Sequence, residues 1–165
     1  MDLKKLIKET PDFPKAGILF RDISPILSDA DALQFVIESL AKKIDLSQVD
    51  AFAGIESRGF ILASLLAAHC KKGFIPIRKA GKLPPPTFRK NYALEYGEAT
   101  IEMVPGIQRI VILDDVLATG GTLNAAIELA TESGYHVQDV AVLIDLTFLN
   151  QMKFRGDKIT SLIEF

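Results

Sequence analysis

The stretch Arg109 to Thr122, R-I-V-I-L-D-D-V-L-A-T-G-G-T, constrains the fold more than any other part of the chain. Ile110 to Leu113 is an unbroken apolar and largely β-branched run, the signature of a strand buried on both faces of a parallel sheet. Two carboxylates, Asp114 and Asp115, follow where such a strand is expected to end. Ala118, Thr119, Gly120, Gly121 and Thr122 come next, before a helical pattern that opens at Leu123. Ligands of open α/β sheets lie at the carboxyl ends of the strands. Main-chain N–H groups of a glycine-rich turn, backed by a helix N-terminus, hold a phosphate without needing a lysine. Two acids would repel a bare phosphate. A sugar phosphate removes that conflict, with its phosphate in the loop and its hydroxyls donating to the acids. No Lys-Ser or Lys-Thr follows Gly121, which excludes a Walker A loop, and the absence of any G-x-G-x-x-G excludes the dinucleotide fingerprint.

Composition narrows the partners. A length of 165 residues fits one domain, and a chain of that size buries a core without staples. Nineteen basic residues against 21 acidic ones leave a net charge of −2, which is no footprint for general nucleic-acid binding. Cys70 is the only cysteine, so neither a disulfide framework nor a cysteine-based metal site is expected. No secretory or membrane-length apolar run occurs, and Met1–Glu9 is a short charged amphipathic segment. The expectation is a soluble cytoplasmic protein whose partners are neither nucleic acid nor membrane.

Taken in order, Leu3, Leu6 and Ile7 have helical spacing, and Pro11 stops that short helix. Pro11 to Pro25, P-D-F-P-K-A-G-I-L-F-R-D-I-S-P, is rich in Pro and Gly yet carries Phe13, Ile18, Leu19, Phe20 and Ile23. It is too apolar for a solvated loop; on composition alone, an arm capping the core accounts for it equally well. Ser28 is the expected cap of a helix over about Asp29–Ile44, with Leu33, Val36, Ile37, Leu40 and Ile44 on one stripe. Asp50 to Ala53 reads as a short strand ending at Gly54. It is followed by G-I-E-S-R-G-F and an apolar helix over about Phe60–Cys70. This second strand–turn–helix puts Glu56, Ser57, Arg58 and Gly59 at a strand's carboxyl end. A guanidinium there suits a pyrophosphate, although an ordinary exposed loop arginine reads the same way. Phe74 to Ile77 is a third strand, ending in Arg78, Lys79 and Lys82. Ala80 to Tyr92, with Pro84–Pro86, Arg89 and Lys90, reads as a long mobile loop, either a lid or a solvated charged segment.

Thr100–Met103 and Val137–Ile144 read as strands, as does about Ile159–Ile163; Pro105-Gly106 is a turn. Leu123–Ser133 is a helix ended by Gly134. His69 and His136 belong to no motif. Strands alternating with helices predict an α/β fold of right-handed βαβ units, with a mainly parallel sheet flanked by helices on both faces.

The strand, the two acids and A-T-G-G-T together resemble the phosphoribosyl-pyrophosphate motif of the type I phosphoribosyltransferases. P-D-F-P, F-R-D-I-S-P, E-S-R-G, R-K-A-G-K-L-P and L-E-Y-G resemble the adenine phosphoribosyltransferases within that family. The likeness runs over about Pro11 to Asp145 and departs from the common pattern at Pro85. It implies the type I phosphoribosyltransferase fold as one domain, with an N-terminal hood over about residues 1–28 and a flexible lid over about residues 79–96. It implies transfer of 5-phosphoribosyl from phosphoribosyl pyrophosphate to adenine, giving AMP and pyrophosphate. By the same resemblance, Asp114, Asp115 and Ala118 to Thr122 hold the ribose and 5′-phosphate. Glu56, Ser57, Arg58, Arg78, Lys79 and Lys82 serve the pyrophosphate. Phe20 and Val116 cover the two faces of adenine, the main chain of Leu19 and Arg21 reads its edge, and Tyr96 lies beside it. Glu95 is the acid–base candidate, completing a catalytic set with Arg58, Asp114 and Asp115. Mg²⁺ is the implied cofactor, held by substrate and water rather than by a protein cage, and a homodimer is the implied assembly. A phosphoribosyltransferase for another base would share the Asp114–Thr122 motif but need a different hood. A non-catalytic sensor binding nucleic acid would need an added domain or a basic face.

Overall fold

The computed structural model covers residues 1–165 and describes all of them except Glu95 and Tyr96. A 3-10 turn over Leu3–Leu6 leads into β1 (Lys8–Pro11), which pairs antiparallel with β2 (Leu19–Asp22). Pro11 therefore ends an edge strand rather than the first helix, a position where its missing N–H is tolerated. The short helix α1 (Ser24–Ser28) is followed by α2 (Ala30–Lys43). The cap of α2 is Asp29, whose carboxylate accepts from Ala32 N at 2.9 Å, and not Ser28, which closes α1 and donates its hydroxyl to Pro25 O. An anion one residue later satisfies the free N–H and complements the helix dipole as well.

After a second 3-10 turn over Leu46–Gln48, the remaining elements are β3 (Ala51–Ile55), α3 (Arg58–Cys70), β4 (Gly73–Lys79), β5 (Phe88–Leu94), β6 (Gly97–Met103), β7 (Arg109–Leu117), α4 (Gly121–Glu132), β8 (His136–Asp145), the short β9 (Lys153–Phe154) and β10 (Asp157–Lys158), and β11 (Thr160–Glu164). Seven of these strands form one sheet in the order β11-β8-β7-β3-β4-β6-β5. The pairs from β11 to β4 are parallel, and the β4–β6 and β6–β5 pairs are antiparallel. This is the mainly parallel sheet flanked by helices that the alternation predicts, extended by an antiparallel hairpin at one edge.

Each face of the sheet buries its own core. Val36, Leu40, Phe52, Leu66, Val111 and Leu113 join α2 and α3 to one face; Ala53, Ile110, Ile112, Ala126 and Leu129 join α4 to the other. Helix α3 lies almost against the strands. A Cβ at Gly54 would come 2.7 Å from Gly59 O, and one at Gly59 would come 2.7 Å from Leu113 O. At the opposite end of the sheet the Arg109 guanidinium grips Asp50 at 2.7 Å, tying the starts of β7 and β3.

Three boundaries differ from those expected. Strand β7 does not stop before the acids but runs through them to Leu117, because β8 keeps pairing alongside it as far as Leu117↔Asp145. Helix α4 opens at Gly121 rather than Leu123. Residues 88–94 are not loop: β5 pairs with β6 from Phe88↔Met103 to Leu94↔Gly97. Lys90 fastens β5 to α4 through Glu128 at 2.8 Å and Glu132 at 2.7 Å. Among the described residues of the expected lid, only 80–87 are irregular.

Candidate active site

The strand order reverses direction around β3. The chain moves from β3 to β4 on one side and later returns to place β7 on the other. A crevice at such a switch point is where α/β sheets bind ligands. Two turns leave the sheet there, Glu56–Ser57 after β3 and Ala118–Gly120 after β7.

The second turn enters α4 through Gly120, whose φ of +91° is a conformation side chains resist. Ala118, Thr119, Gly120, Gly121 and Thr122 line a hollow of about 80 Å³ together with Asp114 and Val116. Among the described residues, the N–H groups of Thr119, Gly120, Gly121 and Thr122 have no protein acceptor. They stand at the N-terminus of a 12-residue helix, so the hollow combines free donors with the positive end of a dipole.

Asp114 and Asp115 sit side by side but in different settings. Burial, and then the charge of Asp115, push the Asp114 carboxyl well above its ordinary value; its acceptance of the Asp115 N–H and the Arg58 charge act against that. Asp115, 5% exposed, is paired with Arg58, whose Nε lies 2.8 Å from its carboxylate. Arg58 opens α3, and its guanidinium also stands 5.2 Å from the ring of Phe20 on β2. Phe20 in turn meets Phe13 edge-on at 5.1 Å. One arginine thus links the acid of β7, the turn after β3 and the N-terminal hood. Leu19 is exposed beside Phe20. The Arg21 side chain turns away, stacking 4.2 Å from Phe165 and pairing with Glu9 at 3.4 Å, so only its main chain is left for recognition.

The cations expected at the pyrophosphate divide into two groups. Arg78 is held by Glu56, with Nε at 3.1 Å, and the same carboxylate accepts from Lys79 N at 3.0 Å. Those hydrogen bonds, first from Arg78 and then from Lys79, hold the Glu56 carboxyl below its usual range. Glu56 therefore faces these two residues rather than standing as an anion ligand in its own right. The side chains of Lys79 and Lys82 are exposed and make no ion pair among the described residues. The peptide between Glu56 and Ser57 is cis, and the Ser57 hydroxyl makes no capping bond. Glu95 and Tyr96, expected at the base, lie outside the described residues.

Glu102 was not singled out by sequence reasoning. Fully buried on β6, it accepts from Lys82 N, Leu83 N and Arg89. Alternation in I-E-M would have sent it to solvent, so no motif flagged it. A larger hollow of 360 Å³ near Lys43, Asp139, Phe154 and Arg155 opens at the amino ends of the strands, remote from all of these groups.

A match to the phosphoribosyl transferase domain family spans residues 26–147. An adenine phosphoribosyltransferase of Bdellovibrio bacteriovorus is 62% identical over 165 residues, covering 100% of both chains. The chain belongs to the adenine phosphoribosyltransferase family. Among solved structures, the adenine phosphoribosyltransferase of Thermoanaerobacter pseudethanolicus is similar with a TM-score of 0.91 at 45% identity, covering 99% of this chain and 98% of that one. The adenine phosphoribosyltransferase of Giardia lamblia, complexed with 9-deazaadenine, gives 0.89 at 36%, covering 99% and 96%. The chain is thus an enzyme of the phosphoribosyltransferase class, with the fold of the adenine phosphoribosyltransferases. No helix among the described residues is long and apolar enough to cross a membrane, and no cluster of three or more His, Cys, Asp or Glu among them could hold a metal.

Proposed function

We infer that this chain carries out its family's reaction, transfer of the 5-phosphoribosyl group from phosphoribosyl pyrophosphate to adenine, giving AMP and pyrophosphate for purine salvage. The observation that carries this reading is the contact of Arg58 with both Asp115 and Phe20, which joins a sugar acid, an anion-binding turn and an aromatic base platform at one switch point.

A purine nitrogen displaces pyrophosphate at C1 of the ribose, and positive charge builds on the sugar as the leaving group departs, as in other glycosyl transfers. The free N–H groups of Thr119 to Thr122 anchor the 5′-phosphate, giving remote binding energy that orients C1. Ribose hydroxyls donate to Asp114 and Asp115. Arg58, Lys79 and Lys82 offset the charge of the leaving pyrophosphate, while Glu56 and Ser57 shape the turn around it and Glu56 orients Arg78. Phe20 stacks on adenine opposite Val116, and the main chain of Leu19 and Arg21 distinguishes a 6-amino from a 6-oxo group. Glu95, with Tyr96 beside it, exchanges the proton at the base's imidazole nitrogens.

Mg²⁺ is the proposed cofactor. A hard cation of this kind keeps several waters and is held mainly through substrate oxygens, so it needs no protein cage. When bound, it would offset the charge of the pyrophosphate. We also propose a cytoplasmic homodimer. Exposed Ile61 and Phe74, with Phe60 packed edge-on against Phe74, offer an apolar face for the second copy.

The deciding experiment is a steady-state assay with Mg²⁺ and phosphoribosyl pyrophosphate, offering adenine, hypoxanthine, guanine and xanthine separately. AMP from adenine alone is expected. Transfer to a 6-oxopurine overturns the hood's role, and no product with any base overturns the reaction.

A further inference from the structure

Glu102 is a carboxylate with no exposure to solvent in a strand that has solvent available on its flanks. Its cross-strand neighbours are Arg78 on β4 and Arg89 on β5. One carboxylate oxygen accepts from Lys82 N at 2.7 Å and Leu83 N at 2.8 Å, and the other accepts from Arg89 Nε at 3.0 Å. Burial pushes this carboxyl up, but the N–H groups of Leu83, Gly81 and Lys82 and the Arg89 guanidinium outweigh it and hold it down to about 2. At neutral pH it is a buried anion.

The donors it takes are informative. Pro84, Pro85 and Pro86 follow Leu83 directly and have no N–H. Lys82 and Leu83 therefore supply the last main-chain donors before Thr87, and both go to Glu102. On the other flank of the turn, Lys79 N goes to Glu56 and Ala80 N to Thr100 O. Gly81, at φ +86°, supplies the reversal between them. The backbone of residues 79–83 is thus gripped from the protein side, while the Lys79 and Lys82 ammonium groups stay exposed and unpaired with any described carboxylate. Had Glu102 paired with those ammonium groups instead, their charge would be cancelled. By binding N–H groups it fixes the backbone and leaves the charge available.

We propose that Glu102 is a positioning residue for phosphoribosyl pyrophosphate, acting through the main chain of Lys82 and Leu83 to set the exposed Lys82 ammonium group against the pyrophosphate group. This rests on the reading that the Lys79–Leu83 turn serves the pyrophosphate.

Steady-state kinetics of Glu102→Gln, Lys82→Ala and the double variant test it. Glutamine keeps the shape but removes the charge and turns an amide donor towards either Arg89 or the turn. A KM for phosphoribosyl pyrophosphate raised about tenfold is expected, the size of one lost charge-assisted contact, with kcat and the KM for adenine changed less than about twofold. The double variant should be no worse than the weaker-binding single variant, because a residue acting through Lys82 has nothing left to position. Additive effects, or an unchanged KM in Glu102→Gln while Lys82→Ala raises it, overturn the inference. An unchanged KM in Lys82→Ala instead overturns the reading of the turn, and the inference falls with it. If Glu102→Gln does not fold, Glu102→Asp, which keeps the charge but withdraws it by one methylene, is scored by the same outcomes.

Discussion

The loop at Thr119–Thr122 and the turn at Lys79–Leu83 are both suited to anions, yet they are built in opposite ways. In the loop the main-chain N–H groups have no acceptor among the described residues and face a hollow at a helix N-terminus; side-chain charge is not needed. In the turn the N–H groups point inward onto Glu56 and Glu102, and the positive side chains remain outside. The first arrangement needs glycine and a helix, which are local. The second needs two acids from other strands, which only the sheet brings near. A backbone site suits a phosphate held in one fixed geometry, and a site of flexible lysines suits a pyrophosphate that must be released.

The largest effect is expected at Arg58, which touches the acid beside the loop and the hood above it. Arg58→Met is expected to lower kcat/KM roughly 10²–10³-fold, as for removal of one preorganised donor, read by steady-state assay with adenine. A loss below tenfold would mean that the acids and the hood work independently of this guanidinium. Next comes the loop's backbone. Gly120→Ala puts a Cβ at φ +91°, 3.2 Å from Met152 Sδ, and is expected to cost about 1–3 kcal/mol in stability. It should also raise the KM for phosphoribosyl pyrophosphate; chemical denaturation and kinetics measure the two effects separately. An unstrained, fully active variant would show that the loop does not depend on glycine at this position.

A smaller effect distinguishes the turn by pH. Glu102 has a folded-state pKa held from its ordinary 4.5 down to about 2. Its contribution to stability is therefore fully present above pH 4.5 and is lost as the pH falls towards about 2. The melting temperature of Glu102→Gln should approach that of the parent chain over that window, and a constant gap between them would show that the charge of Glu102 is irrelevant. The smallest effect runs the other way. Burial and the Asp115 charge raise the Asp114 pKa, so its ionisation costs the folded state stability as pH rises above 3.8. Asp114→Asn is expected to melt slightly higher at neutral pH while losing activity, and differential scanning calorimetry beside the assay checks both.

Much of the candidate site was legible because its signals are contiguous. D-D-V-L-A-T-G-G-T and E-S-R-G each occupy one short strand-to-helix junction, and the Pro11–Pro25 segment is too apolar to be solvated. Residues with distant partners were harder to read. Tyr92, flanked by Ala93 and Asn91, carries too weak an apolar alternation to mark β5, which is fastened instead by Lys90 to α4 and by its ladder with β6. The extension of β7 through two acids depends on β8 continuing beside it.

By itself, the sequence determined the alternation of buried strands and helices, the glycine turn before α4 and the acids that precede it, because periodicity, chain stiffness and turn chemistry act within a few residues. Only the tertiary structure decided that Arg58 would bridge Asp115 and Phe20, that Glu56 would hold Arg78, and that Glu102 would be buried beneath the Lys79–Leu83 turn. Each of those contacts joins groups far apart in the chain, and a buried charge is tolerated only where folding delivers its partners.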